Sequence, residues 1–430
     1  MMVFTSIYGV VDGLFISNFT GSTAFAAINL VMPFAMVLGG VGFMVGTGGT
    51  ALVAKTLGEG KKETANRYFT MMVYFTLILG ASLGLFGIIF IRPVSYLLGA
   101  TEEMIEYCVV YGSIIIGFTP AFMLQNLFQN FLVVAEKPKL GLVATVAAGV
   151  TNMVLDALFV AVFRWGLVGA AVATGISQLI GGILPLIYFM RPNDSLLRLV
   201  PTGLEAKPLI KAVTNGSSEL MSNISTSLVS AVYNLQLMKY FGKNGVSAYG
   251  ALMYVQFVFI AIYIGYIIGA APIVGYNYGA KNKPELQNVF GKSIILMIFS
   301  GVVMTVLALC LASPLAKLFV GYDAELCALT TKAFSLFAPA FLLAGVNIFS
   351  SGFFTALNNG LVSAIISFLR TLVFQLAAVL VLPGLVGSDS IWWSVAVAEV
   401  AAFLISLLFL VANGKRYGYI NEYLAFVKKA

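Results

Sequence analysis

The heptapeptide FTPAFML, Phe118 to Leu124, returns as FAPAFLL at Phe337 to Leu343. Two further pairs keep the same order: GSTAFAAI from Gly21 matches GVSAYGAL from Gly245, and the segment Gly58 to Phe69 aligns with Gly279 to Phe290. The offsets are 219, 224 and 221 residues, so the chain reads as an internal duplication.

Composition says what is duplicated. Apolar residues make up 60% of the chain and charged residues only 10%, far from the balance of a water-soluble domain. Apolar runs continue along the whole length, each long enough to cross a hydrocarbon core of roughly 30 Å with about 20 residues. Breaks near Asn18, Lys55 to Asn66, Gly99 to Glu103, Glu136 to Lys139, Arg164, Arg191 to Pro208, Gly242 to Gly245, Asn277 to Glu285, Ser313 to Asp323, Asn358 to Gly360, and Pro383 to Ser390 divide it into twelve spans. Helices satisfy their own backbone hydrogen bonds in lipid, and the alternating ten-residue strands of a barrel are not seen, so the expected fold is all-α. Six spans per repeat is an even number. The two halves therefore share one orientation, as two pseudo-symmetric six-helix lobes.

The expected organisation is an N-terminal lobe over 1–190, an interlobe loop at 191–208, a C-terminal lobe over 209–413 and a tail at 414–430. Matching Asp12 to Asn234 leaves span 1 about half its expected length, so the chain is read as starting inside that helix. Seventeen Lys and Arg residues fall in one set of alternate loops plus the tail, and six in the other. By the positive-inside rule both termini are expected in the cytoplasm, in a multi-pass protein of a bacterial inner membrane. The same pattern assigns the net charge of +7 to membrane orientation, so no nucleic-acid partner is expected. Histidine is absent and Cys108, Cys310 and Cys327 are scattered, which argues against a zinc site or a disulfide framework.

Five charges fall inside spans: Asp12, Asp156, Glu219, Arg370 and Glu399. An ionised side chain at a helix centre costs roughly 2.5 to 3.5 kcal/mol even on a lenient insertion scale, so each is a candidate for function. Glu219 has the alternative of snorkelling to water, and Arg370 that of bridging Glu399 as a structural pair. Asp12 and Asp156 have no intramembrane basic residue in their lobe to neutralise them. Asn152 and Asp156 lie four residues apart in TNMVLDALFV and share one face of span 5. With Thr174 of span 6 and Asp12 of span 1 they would make an all-oxygen cluster suited to Na⁺ or to a shared proton.

The repeat, the VVDGLF of span 1, the Asn-x-x-x-Asp of span 5 and the threonine eighteen residues after that aspartate resemble the bacterial multidrug and toxic compound extrusion (MATE) transporters. The loop PIVGYNYGAKNK after span 8 is similar to the MepA-like branch. What the resemblance implies is export of bulky, often cationic, amphipathic compounds by a Na⁺- or H⁺-coupled antiporter with no cofactor. It places the ion at Asp12, Asn152, Asp156 and Thr174, which match the family motif residue for residue. Some members also have an acidic C-lobe site shared by spans 7 and 10, but beyond Glu325, next to the break at Ser313 to Asp323, span 10 has no carboxylate here. A C-lobe polar site is therefore left open among Glu219, Asn234, Arg370 and Glu399. The expected partners are small organic substrates and membrane lipid, and the expected state is a monomer.

Three other readings stand beside this one. A flippase for lipid-linked precursors would need several deep basic residues to hold a pyrophosphate, and only Arg370 looks deep. A channel would need a continuous polar lining. An enzyme would need a nucleophile, a base and an orienting group that recur together, and none do.

Overall fold

The computed structural model describes residues 1–19, 22–321 and 323–420. All regular structure among them is helical. Span 1 is Met2–Phe19, span 2 Ser22–Gly58 and span 3 Lys62–Leu97. Span 4 joins Ile105–Gly117 to Thr119–Val134 across a 49° bend. Span 5 is Pro138–Val162 and span 6 Gly166–Met190. A single run, Ala206–Gly279, breaks at Gly242 (φ 61°, ψ −152°) into spans 7 and 8, residues 206–241 and 243–279. Span 9 is Lys283–Val320, and span 10 joins Ala324–Phe337 to Ala340–Ala356 across a 48° bend. Span 11 is Gly360–Leu385 and span 12 Ser388–Tyr417.

The two bends fall in the repeated heptapeptides. Pro120 and Pro339 each lack the N–H that would continue the helical ladder, and their rings crowd the preceding turn, so each span breaks just before them. The turns repeat as well. Gly60 and Lys281, and Glu136 and Asn358, hold left-handed backbone with φ between 56° and 78°. In all four turns the next N–H reaches back five residues, to the carbonyls of Thr56, Asn277, Leu132 and Phe354, and closes the helix end. The Gly21 end of the first motif and residues 421–430 of the tail lie outside the described residues.

Each lobe closes over a similar aromatic box. In the first, Phe69 sits 5.0 Å from Phe131 and 4.8 Å from Phe189; in the second, Phe290 sits 5.1 Å from Phe353 and 4.8 Å from Tyr419. Phe69 and Phe290 are the ends of the aligned loop segments. Offset and tilted rings at these separations pack well and bury large apolar areas, which in lipid favours packing inside one lobe.

The chain divides into two compact units, Met1–Leu220 and Met221–Ala430. The division falls inside span 7, later than the polar loop at which the sequence places it. The reason is that the loop is bound to the first unit. The Arg198 N–H donates to Asn66 Oδ1 (3.0 Å), the Val200 N–H donates to Thr70 Oγ1 (3.0 Å), and Arg67 pairs with Glu205 at 2.8 Å. Lys137 bonds Asp194 and holds its carboxyl below the usual carboxylate range.

Candidate functional site

Span 5 supplies two of the four polar groups in the first unit. Its α-helix, Pro138–Asp156, ends at the aspartate, and the next turn, Ala157–Val162, is π-helical. A π-turn widens the helix at that level, a device found mostly at functional positions. Asn152 and Asp156 lie on the buried face, 1% and 0% exposed.

Span 1 reaches them because span 5 is bare one turn earlier. A Cβ at Gly149 would stand 2.7 Å from Tyr8 Cδ1, so only glycine lets span 1 lie this close. Asp12, 7% exposed, then interacts with the side chains of Asp156 and Asn152. From span 6, half-buried Thr174 meets Asn152, whose Nδ2 donates to Thr174 Oγ1 at 3.5 Å. Asp12, Asn152, Asp156 and Thr174 therefore form one cluster, built from spans 1, 5 and 6.

The cluster is short of donors. One oxygen of Asp12, both oxygens of Asp156 and the amide oxygen of Asn152 are buried without a hydrogen-bond partner among the described residues. Such groups are rare in folded proteins and each calls for an ion, a water or a proton. Two facing carboxylates in a low dielectric cannot both keep their charge without one of these between them. The donor set is hard oxygen with two carboxylates, and among the described residues no third acidic, His or Cys side chain joins it. It fits one monovalent cation or a shared proton better than a tightly held divalent metal.

The sequence missed the neutral members of this neighbourhood. The Tyr8 hydroxyl, one turn from Asp12, interacts with the Gln125 side chain of span 4, and Gln125 and Gln178 are both buried. Neutral amides have no intramembrane charge to flag them, so only the packing shows them.

Of the four C-lobe candidates, Arg370 and Glu399 are in direct contact. Arg370, within the π-helical turn Leu369–Phe374 of span 11, grips Glu399 of span 12, with Nη2 to Oε1 at 2.8 Å and Nε to Oε1 and Oε2 at 2.9 and 3.0 Å. Asn347 of span 10 donates to Glu399 Oε2 at 2.7 Å and to its backbone carbonyl at 3.0 Å. Asn347, which the sequence did not flag, completes the group that Arg370 and Glu399 form. Asn234 is exposed on span 7, and half-buried Glu219 belongs to the first unit.

A family model, MatE, matches residues 1–158 and 220–380. The chain belongs to the MATE family. The family is one of membrane transporters rather than enzymes. The first matched segment carries Asp12, Asn152 and Asp156, and the second carries Arg370. Relatives include the multidrug export proteins MepA of Staphylococcus saprophyticus, 26% identical over 94% of this chain and 88% of that protein, and of Staphylococcus aureus, 24% identical over the same shares. A solved structure described as the outward-facing conformation of a multidrug resistance MATE family transporter covers 98% of this chain and 95% of its own, at a TM-score of 0.91 and 20% identity. At that identity the likeness establishes the fold, the twelve-helix architecture of a multi-pass membrane transporter.

Proposed function

We propose that this MATE protein is a cation-coupled antiporter that exports amphipathic, often cationic, organic compounds by alternating access. The substrate class follows the MepA relatives, which are named as multidrug export proteins. One observation carries the coupling: Asp12 and Asp156 face each other in the first unit with orphaned oxygens and no basic neighbour to neutralise them. Na⁺ or H⁺ entering from outside neutralises the pair and draws span 1 against spans 5 and 6. Affinity for the drug falls as a result. Coupling requires that the ion bind the two access states differently, since equal affinity for both shifts nothing.

The flippase alternative loses its cation. Arg370, the deep arginine, is already engaged by Glu399 and does not offer itself to a pyrophosphate. The charge bias of the loops supports cytoplasmic termini, and the Staphylococcus relatives support a bacterial plasma membrane, where we propose a monomeric working unit.

The test is ethidium efflux from pump-deficient bacteria expressing wild type or Asp156→Asn at matched membrane levels. Wild type exports the dye and the variant does not. Equal export by both would make Asp156 structural, and no export by either would remove the drug-export reading.

A further inference from the structure

One turn from the carboxylates, the same unit holds two more buried oxygens with nothing to bind. Gln125 of span 4 and Gln178 of span 6 are 4% and 8% exposed, and the Oε1 of each lacks a hydrogen-bond partner among the described residues. The faces that carry them are packed together. A Cβ at Gly181 would stand 2.7 Å from Gln125 Cδ, one at Gly182 would stand 2.9 Å from the Ala121 carbonyl, and Gly175 lies against the Phe118 ring. Gln178 is bracketed by these three glycines, so it lies on the stripe of span 6 that faces Gln125.

Both amides connect to the carboxylate cluster. Gln178 follows Thr174 by four residues on the same face, and Gln125 interacts with Tyr8, which precedes Asp12 by four. Span 1 runs away from Met2, span 5 away from Pro138 and span 6 toward Met190. The step from Asp12 to Tyr8 on span 1 and the step from Thr174 to Gln178 on span 6 lead toward the same end of the bundle. With the orientation read from the loop charges, that end is cytoplasmic.

We propose that Gln125 and Gln178 form a second, uncharged position for an alkali metal ion, which the coupling cation occupies after leaving Asp12 and Asp156 on its way to the cytoplasm. The assignment rests on the antiport reading above and deepens it. An amide oxygen is a good hard-cation ligand but not a proton carrier at neutral pH, so this pair serves Na⁺ and has no use in a proton-driven cycle. Being neutral, it holds the ion less tightly than the carboxylates do, which suits release.

The experiment uses purified full-length protein in liposomes, with ²²Na⁺ as the probe for both equilibrium binding and gradient-driven ethidium transport. Compared are wild type, Asp156→Asn, the double variant Gln125→Met and Gln178→Met, and Gln178→Glu. The double variant keeps ²²Na⁺ binding within about twofold, because the carboxylates remain, yet transports about tenfold more slowly, the effect of one lost contact of ordinary strength. Gln178→Glu keeps an oxygen ligand but adds a charge, so it binds ²²Na⁺ more tightly than wild type while transport stays sodium-dependent, a change in affinity that a purely structural glutamine would not produce. If the double variant does not reach the membrane, Gln178→Asn replaces it, with the same expected slowing.

Wild-type transport rates in the amide-deficient variant would overturn the proposal. So would a wild type that responds to a proton gradient but not to sodium, and this second result leaves the antiport reading standing. Loss of function in neither Asp156→Asn nor the amide variants would instead remove the antiport reading itself.

Discussion

In the second unit, the Glu399 carboxylate receives both guanidinium edges of Arg370 and the amide of Asn347. In the first unit, both oxygens of Asp156 receive nothing from any described residue. The two π-helical turns lie in spans 5 and 11, which correspond in the two repeats; Asp156 stands beside the first, and Glu399 reaches Arg370 in the second from span 12. The second lobe has built the positive charge into the chain, whereas the antiport proposal gives that place in the first lobe to a mobile Na⁺ or H⁺. A tethered cation holds three helices together permanently. A mobile one makes their packing depend on the ion, and that dependence is what a coupled transporter needs.

The comparison breaks most sharply if the tethered cation is removed. Arg370→Met leaves Glu399 buried and uncompensated, and the expected loss is about 3–5 kcal/mol of stability, read from thermal melts in detergent. The same variant should acquire what the antiport proposal expects of the first lobe, a melting point that rises with Na⁺ or with acidity. Adding Glu399→Leu should recover most of the loss, since an apolar pair of similar volume is often neutral or better in place of a buried ion pair. An Arg370→Met variant as stable as wild type, with no response to ions, would mean that water reaches Glu399.

Asp156→Asn probes the other side. It removes a charge that has no fixed partner, so stability should hold or rise, while ion-driven efflux falls by roughly a hundredfold, toward the upper end of ordinary coupling energies. A large loss of stability with efflux per molecule intact would reverse the assignment of roles between the lobes.

A smaller effect separates structural polarity from functional polarity within the second lobe. Below Asn347, Ser351 bonds Ser363 (2.9 Å) and Ser367 (2.7 Å), and Thr355 bonds Ser363 (2.7 Å), all buried between spans 10 and 11. These hydroxyls satisfy one another and act as glue between helices. Ser351→Ala should cost about 1–2 kcal/mol, without changing the ion dependence of transport.

The architecture was legible because charge and proline are costly in lipid. Every break read from the sequence matches a helix end or the kink at Gly242, and spacing put Asn152 and Asp156 on one face of span 5, while the grouping with Asp12 and Thr174 rested on the scarcity of intramembrane charge and on the family resemblance. FTPAFML and FAPAFLL carry both the duplication and the bends of spans 4 and 10, but a proline marks a bend only where the helix continues beyond it, and sequence spacing does not show that it continues. The π-turns, Asn347, Gln125 and Gln178 were not legible. Neutral amides occur in any helix, and only the partner across the interface tells a bonded one from an orphaned one. Among the C-lobe candidates a direct contact joins Arg370 and Glu399, and position along span 7 does not say which face a residue takes: Asn234 is exposed there.

The last comparison lies in the equivalent turns after spans 4 and 10, where Glu136 and Asn358 both have a φ of 59°. Left-handed backbone costs a side-chain-bearing residue roughly 1–2 kcal/mol, less for asparagine, whose short amide can bond locally. Glu136 is exposed, while the Asn358 amide donates to the Ala356 carbonyl at 3.4 Å. Glycine removes the backbone strain but gains entropy in the unfolded chain, so the two terms partly cancel. Glu136→Gly should therefore stabilise the first lobe by about 0.5–1 kcal/mol. Asn358→Gly should be neutral or slightly destabilising, since less strain is relieved and the amide's bond is lost. Equal gains from both, measured as shifts in melting temperature, would show that the two turns carry the same strain despite their different residues. A gain at Glu136 alone shows that the second lobe already holds the better turn residue, as it already holds the better-compensated carboxylate.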